Sequence, residues 1–130
     1  MLEDNLFIEQ VLPSGMAHRL TDEEFAAYRA PSDRAPVLRW AREIPIEGEP
    51  PDVVAVVERN QQVLAATAVP TLLLHATPGA VVTAAEVDWC RRYCPRVDVV
   101  HVGEGTHFLP EDRPAEIAAA LVDWLPATRS

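Results

Sequence analysis

Two apolar stretches in the second half of the chain decide its fold. Residues 71–79 read TLLLHATPG and residues 97–108 read VDVVHVGEGTHF. In each stretch an apolar run is followed by glycine, which is typical of a buried strand in a parallel sheet. The two runs predict strands at 71–76 and 97–102.

The residues around these strands predict helices. Thr83 and Glu86 have the spacing of a capping box, so a helix should begin after Thr83 and end at Pro95. Pro114 opens a last helix, whose apolar residues recur at helical spacing. Residues 67–125 therefore have the βαβα pattern of a parallel sheet covered by helices. Two strands are too few for such a sheet, which predicts that the chain is part of a larger α/β domain.

The first third of the chain supplies no further strand. Residues 5–12 have the apolar spacing of a short amphipathic helix. Thr21 and Glu24 form a second capping box, which predicts a helix that ends near Arg29.

Prolines then interrupt regular structure until the next helix. Five of them lie between residues 31 and 51, so an ordered apolar loop is predicted over 30–51. The sequence after Pro51 predicts a helix that lasts to about Ala66.

The composition argues against several classes of function. The chain has 130 residues, of which 48% are hydrophobic and 24% charged, the profile of a folded domain. Its net charge of −9 disfavours nucleic acid or an anionic membrane surface as a partner. Cys90 and Cys94 are too few for a disulfide framework and share one helix face, where we expect them to be buried. A reducing, cytoplasmic location fits this cysteine usage.

His107 is the histidine best placed for chemistry. Sites in open α/β sheets form at the carboxyl ends of the strands, here the loops 76–83 and 103–112. His107 lies in the second loop, just after two glycines, where a general base could act. A histidine that is satisfied by local hydrogen bonds is the alternative interpretation.

The other histidines and the glycines predict no second site. His75 and His101 fall inside the predicted strands and are expected to pack, while His18 is expected to be solvated. The histidine spacing matches no metal motif, and no cofactor is predicted. No two glycines are four residues apart, so the chain carries no Gly-x-Ser-x-Gly nucleophile elbow.

Five blocks of sequence carry a resemblance to a known family. In order they are NLFIEQVLPSGM (5–16), LTDEEFAAYRAP (20–31), REIPIEGEPPDVVAVVE (42–58), HATPGAVVTAAEV (75–87) and VGEGTHFLPEDRP (102–114). Together they resemble the haloalkane dehalogenases, in the branch whose catalytic acid follows the sixth strand. The resemblance covers nearly the whole chain.

The resemblance implies the C-terminal part of an α/β-hydrolase fold. It assigns residues 1–66 to the helical cap and the helix that connects it to the sheet. It assigns residues 67–130 to the last two parallel strands of the main domain and their helices. The parent fold is more than twice this long, so we expect a fragment without the nucleophilic Asp, the halide-binding Trp and Asn, and the acid.

The resemblance also implies a mechanism and a pocket. In the family, an Asp carboxylate displaces halide to form an alkyl-enzyme ester, and a His activates the water that hydrolyses the ester. That histidine corresponds to His107, and the substrate would be a small halogenated hydrocarbon. The family's pocket positions correspond to apolar or small residues: Phe7, Val11, Gly15, Ile44, Ala80, Val81 and Phe108.

This chain departs from the family pattern beside the histidine. Thr106 stands where the family often has Leu or Ala. A related branch keeps its acid in the loop after the seventh strand, but here residues 77–81 contain no carboxylate. Glu86 is explained by its capping box and is not taken as that acid.

Two alternatives to a dehalogenase fragment stay open. An epoxide hydrolase of the same fold would place tyrosines in the cap, but Tyr93 lies on a main-domain helix and leaves Tyr28 alone. A non-catalytic binding or oligomerising remnant is the second alternative. In the favoured interpretation, the 130-residue chain is inactive alone, and a separate N-terminal half would have to supply the nucleophile. The sequence leaves open whether such a half exists.

Overall fold

Helices and one small parallel sheet make up two compact units in the computed structural model, which describes residues 5–127 except 32 and 34. One unit contains the described residues up to Ser14 together with Arg19–Val63. The other contains Gly15–His18 together with the described residues from Leu64 onward. The short Gly15–His18 segment thus belongs to the unit that contains the sheet, whereas the residues on either side of it belong to the first unit. The assignment of residues 1–66 to the cap and its connecting helix, and of residues 67–130 to the main domain, stays a prediction.

The first unit is built from helices. A π-helical turn, Phe7–Val11, continues as α1 (Leu12–Ser14), and α2 spans Asp22–Arg29. The predicted capping box is present, since the Thr21 side chain accepts from the Glu24 amide and the Glu24 carboxylate accepts from the Thr21 amide. Arg29 binds the Glu9 carboxylate through two hydrogen bonds of 2.6 and 2.8 Å, which joins α2 to the π-helical turn.

The segment predicted as a loop contains a helix. Residues Ala35–Arg42 form α3, so the loop prediction for 30–51 was wrong over these eight residues. Pro36 is tolerated because it occupies the first turn, where the missing amide has no partner within the helix. Helix α4 then runs over Pro51–Ala66, as predicted.

The sheet confirms the predicted parallel pair. Strands β1 (Thr71–Pro78) and β2 (Val97–Gly105) are parallel, and α5 (Ala84–Tyr93) crosses between them. The Thr83–Glu86 capping box is present at the start of α5. The hydrophobic core of the described part of this unit contains Met16, Ala76, Val87, Cys94 and Val102.

A bulge distorts the carboxyl ends of the strands. His75 pairs with His101, but Thr77 pairs with Glu104, so β2 contains one extra residue. Gly103 supplies the conformation that the bulge requires, with φ of 110°. The Arg113 Nε–H donates to the Glu104 carbonyl at 2.7 Å and holds the bulged segment in place.

Two helices follow β2. A single turn, α6 (Leu109–Asp112), lies inside the stretch predicted as a loop, and α7 (Pro114–Ala127) starts at Pro114 as predicted. The Trp124 indole N–H donates to the Asp98 carboxylate at 2.7 Å and ties α7 to β2. Within the described ranges, no helix is long and apolar enough to cross a membrane.

Candidate functional site

The candidate site lies where β1 and β2 end. The Gly79 amide donates to the Gly105 carbonyl at 3.1 Å, and the Ala80 amide donates to the Thr106 carbonyl at 3.1 Å. These two bonds continue the parallel pairing beyond the strands. They hold the loop after β1 against the segment that carries His107.

A cavity of about 210 Å³ opens between the two loops. It is lined by Ala76, Gly79, Val81, Val82, Thr106, His107 and Leu109. Among these lining residues, His107 has the one titratable side chain. Its imidazole is exposed and meets the Phe108 ring edge-on, with 4.6 Å between ring centroids. The arrangement places an imidazole, a side chain that can act as a base, in the lining of an apolar cavity.

The carbonyl oxygen of Gly15 organises the backbone at His107. It accepts hydrogen bonds from three consecutive residues: the Thr106 hydroxyl at 2.6 Å, the His107 amide at 3.0 Å and the Phe108 amide at 3.0 Å. Gly15 also permits a close approach, since a Cβ atom there would lie 2.7 Å from the Phe108 ring. A side chain at position 15 would therefore force the Phe108 ring to move.

Asp112 makes a second set of contacts, to the other end of the Gly15–His18 segment. Its side chain is 2% exposed, and its oxygens accept from the Ala17 amide at 2.9 and 3.0 Å and from the His18 amide at 3.2 Å. The Nδ1 atom of His18 lies 2.8 Å from Oδ1 of the same carboxylate. Burial by itself raises the pKa of Asp112, but the hydrogen bonds from Ala17 and His18 outweigh it and lower the pKa.

His18 is exposed, as predicted, but its ring also contacts the protein. Its side chain is 39% exposed, yet its ring is tied to Asp112. The sequence analysis did not pair His18 with Asp112, because 94 positions separate the two residues. The available signal was the acidic pair Glu111–Asp112 near the end of VGEGTHFLPEDRP, shortly after His107.

The predicted pocket residues fall in both units. Val81 lines the cavity. Ala80 and Phe108 are the sequence neighbours of the lining residues Val81 and His107, and the Gly15 carbonyl accepts from the His107 and Phe108 amides. Three others belong to the other unit, where the Phe7 ring meets Trp40 edge-on and where two side chains are each 44% exposed: Val11 and Ile44. Sequence comparison missed the cavity-lining residues Ala76, Gly79, Val82, Thr106 and Leu109. The available signal for these residues was that each lies at the end of a predicted strand or in the loop that follows it.

His75 and His101 face each other across the sheet. Their ring centroids are 5.1 Å apart, and the His101 Nε2 atom lies 3.0 Å from the Thr77 hydroxyl. Burial, together with the nearby His101 and Arg91, lowers the pKa of His75. The rings act as packing partners on neighbouring strands.

The part of the chain that the structure describes contains no group of three or more His, Cys, Asp or Glu side chains arranged to hold a metal ion. Cys90 and Cys94 are free thiols, and burial raises the pKa of Cys90. A raised thiol pKa disfavours the thiolate, the form that reacts and that binds metals.

Two parallel strands, a crossover helix and a histidine segment at the strand ends define the C-terminal part of an α/β-hydrolase main domain. Solved haloalkane dehalogenases have this structure: one from Bradyrhizobium elkani superposes with a TM-score of 0.92 at 37% identity, over 98% of this chain and 45% of that one. Another, from Agrobacterium tumefaciens, gives 0.87 at 29% identity, over 98% and 45%.

Curated relatives agree with the solved structures. The chain is 39% identical to a haloalkane dehalogenase of Sphingobium indicum, over 96% of this chain and 43% of the relative. It is 37% identical to that of Mesorhizobium japonicum, over 97% and 42%. No protein-family model matches the chain. The chain is thus similar along nearly its whole length to haloalkane dehalogenases and spans less than half of theirs.

Proposed function

We propose that this chain is the C-terminal portion of a hydrolase of carbon–halogen bonds, in which His107 is the general base. The observation that carries the proposal is the position of His107, on the segment after β2 and in the lining of an apolar cavity. The similarity to haloalkane dehalogenases gives that position its chemistry.

The chemistry has two steps. An Asp carboxylate attacks the halogenated carbon, so a C–O bond forms, the C–halogen bond breaks and halide leaves. Water then attacks the carbonyl carbon of the ester while His107 takes its proton. The alcohol leaves, the carboxylate is regenerated, and the proton passes from His107 to solvent.

An apolar pocket suits this substrate class. A small halogenated hydrocarbon offers little to hydrogen-bond, so its binding depends on apolar surface. In the cavity, Val81, Val82 and Leu109 supply such surface next to His107. On the basis of the family resemblance we also assign Phe7, Val11, Gly15, Ile44, Ala80 and Phe108 to the residues that bind the substrate.

The nucleophile and the orienting acid would come from an N-terminal half. No residue that lines the cavity has a carboxylate, and none could form the alkyl ester. The 130-residue chain should therefore be inactive by itself. We also infer a cytoplasmic location, which the two free thiols support.

Co-expression tests the proposal. The partner is an N-terminal haloalkane dehalogenase fragment that carries Gly-x-Asp-Trp-Gly, the halide-binding Asn and the acid. Bromide release from a short bromoalkane should occur with the pair and with neither half alone. Matched controls are the pair with the Asp of the partner changed to Asn and the pair after heat treatment.

The outcomes separate the competing functions. A complex that forms, retains its fold and releases no bromide would contradict the proposal and favour a non-catalytic, oligomerising remnant. Turnover of an epoxide at a rate above that of the bromoalkane would instead favour the epoxide hydrolase alternative. Bromide release by the 130-residue chain alone would contradict the predicted inactivity.

A further inference from the structure

We propose that Asp112 is a positioning residue for His107, acting through the Gly15–His18 segment, and that Thr106 completes the same device. The inference rests on the proposed function, because it explains how the base of that reaction is held. The two ends of the segment contact the two ends of residues 106–112.

The first contact fixes the backbone on both sides of the histidine. The Gly15 carbonyl accepts from Thr106, His107 and Phe108 in succession, at 2.6, 3.0 and 3.0 Å. Three donors that converge on one oxygen leave the His107 backbone little freedom to turn. The Thr106 hydroxyl adds a bond to the Gly15 carbonyl that an apolar side chain at this position could not make.

The second contact fixes the opposite end of the segment. Asp112, with a side chain that is 2% exposed, accepts from the amides of Ala17 and His18 and lies 2.8 Å from the His18 ring. Hydrogen bonds to a buried carboxylate are among the stronger ones in proteins, because one partner carries a charge. The segment is therefore anchored by a charge that is almost fully shielded from solvent.

Helix α6 links the two contacts into a closed loop of interactions. The Asp112 amide donates to the Phe108 carbonyl at 3.2 Å, and the Arg113 amide donates to the Leu109 carbonyl at 2.7 Å. A rotation of the His107 backbone would have to break either the bonds to Gly15 or those to Asp112. The carboxylate thus restrains the histidine although it does not touch the imidazole.

The effect of such a device falls on one step of the reaction. Displacing a catalytic group by ~1 Å can cost ~100-fold in rate. Only ester hydrolysis uses His107, since the attacking carboxylate is already ionised at neutral pH. A positioning role therefore predicts that loss of Asp112 slows hydrolysis and spares alkylation.

Asp112→Asn and its control, Asp123→Asn, test this in the co-expressed pair. Asp123 is an exposed carboxylate on α7, and both variants lose one negative charge. Rapid-mixing kinetics should give an unchanged first burst of halide and a hydrolysis rate lowered at least tenfold for Asp112→Asn only. Equal slowing of both steps, or no slowing of either, would overturn the positioning role.

Hydrogen–deuterium exchange of the 130-residue chain tests the device without any activity. Thr106→Val should raise the exchange rate of the His107 and Phe108 amides at least threefold, while Thr106→Ser restores the original rate and the β1 amides stay unchanged. Asp112→Asn should raise the rate at the same two amides. If Asp112→Asn unfolds the chain, the two Thr106 variants decide the outcome.

The two experiments fail in different ways. A pair with no turnover and unchanged exchange in the Thr106→Val chain would refute both the proposed function and the device. A pair with no turnover but faster exchange in that chain would refute the function alone. Full turnover with unchanged exchange would refute the device alone.

Discussion

The His18 Nδ1 atom lies 2.8 Å from Oδ1 of Asp112, although 94 positions separate the two residues. This contact ties the segment after α1 to the helical turn that follows the candidate base. The carboxylate is almost completely buried, and its partners include two backbone amides. These hydrogen bonds stabilise its ionised form in the folded chain. Loss of the Asp112 carboxylate should therefore lower the free energy of unfolding as well as the rate of ester hydrolysis.

The free energy of unfolding should fall with acid in an Asp112-dependent way. The pKa of Asp112 is lower in the folded chain than the unfolded value of ~3.9. The stabilisation is therefore present above about pH 4 and is lost as pH falls through the folded pKa. Urea midpoints between pH 6 and pH 2.5 should show a difference between the original chain and Asp112→Asn that shrinks toward acid.

The control for this experiment is Asp123→Asn, whose carboxylate is exposed. It should give a curve nearly parallel to that of the original chain. A constant difference between the original chain and Asp112→Asn over the whole pH range would contradict the prediction.

His75 should make the fold sensitive to pH in a higher range. Its pKa is lowered by burial and by the nearby His101 and Arg91, so the folded chain binds this proton less readily than the unfolded chain. Stability should therefore decrease as pH falls below the ordinary histidine value of ~6.5 and level off below the folded pKa. His75→Gln should remove that part of the decrease in urea midpoints measured from pH 8 to pH 5. His107→Gln, which alters an exposed histidine, should keep it; a His75→Gln curve identical to the original would refute the prediction.

Gly15→Ala should destabilise the chain through one neighbour. The added Cβ would lie 2.7 Å from Cε2 of Phe108 and 3.3 Å from Cβ of His107, so the ring must move. Overpacking of this kind typically costs ~1–3 kcal/mol. Equilibrium unfolding in urea should show the loss, and the loss should be smaller in a Phe108→Leu background. An equal loss in both backgrounds would show that the Phe108 ring is not the obstacle.

Local signals in the sequence predicted most of the secondary structure. Both capping boxes are present, with helices that begin at Asp22 and Ala84, because their hydrogen bonds form within four residues. The two strands were recognisable from their apolar runs. Each of these features depends on neighbours along the chain.

The errors concern features that depend on position within an element or on distant contacts. Proline predicted a loop at 35–42, yet Pro36 is compatible with the first turn of α3. The single turn α6 is too short for helical periodicity to appear. The contacts of Gly15–His18 with Thr106 and Asp112 join residues about 90 positions apart, which a single sequence does not indicate.

The catalytic assignment itself came from family resemblance together with position at a strand end. The structure adds the cavity beside His107 and the three bonds to Gly15. The proposed role of His107 can therefore be tested separately from the nucleophile, because only the hydrolytic step of the proposed reaction uses it.

Intact-protein mass spectrometry of a His107→Gln pair tests this central claim most directly. The variant, co-expressed with the N-terminal fragment and mixed with a short bromoalkane, should release one equivalent of bromide and then stop. The N-terminal half should gain the mass of one alkyl group, since the ester forms but water is not activated. The original pair should turn over continuously without accumulating that mass. Turnover of the His107→Gln pair at the rate of the original, with no alkyl adduct, would contradict the assignment of His107 as the base.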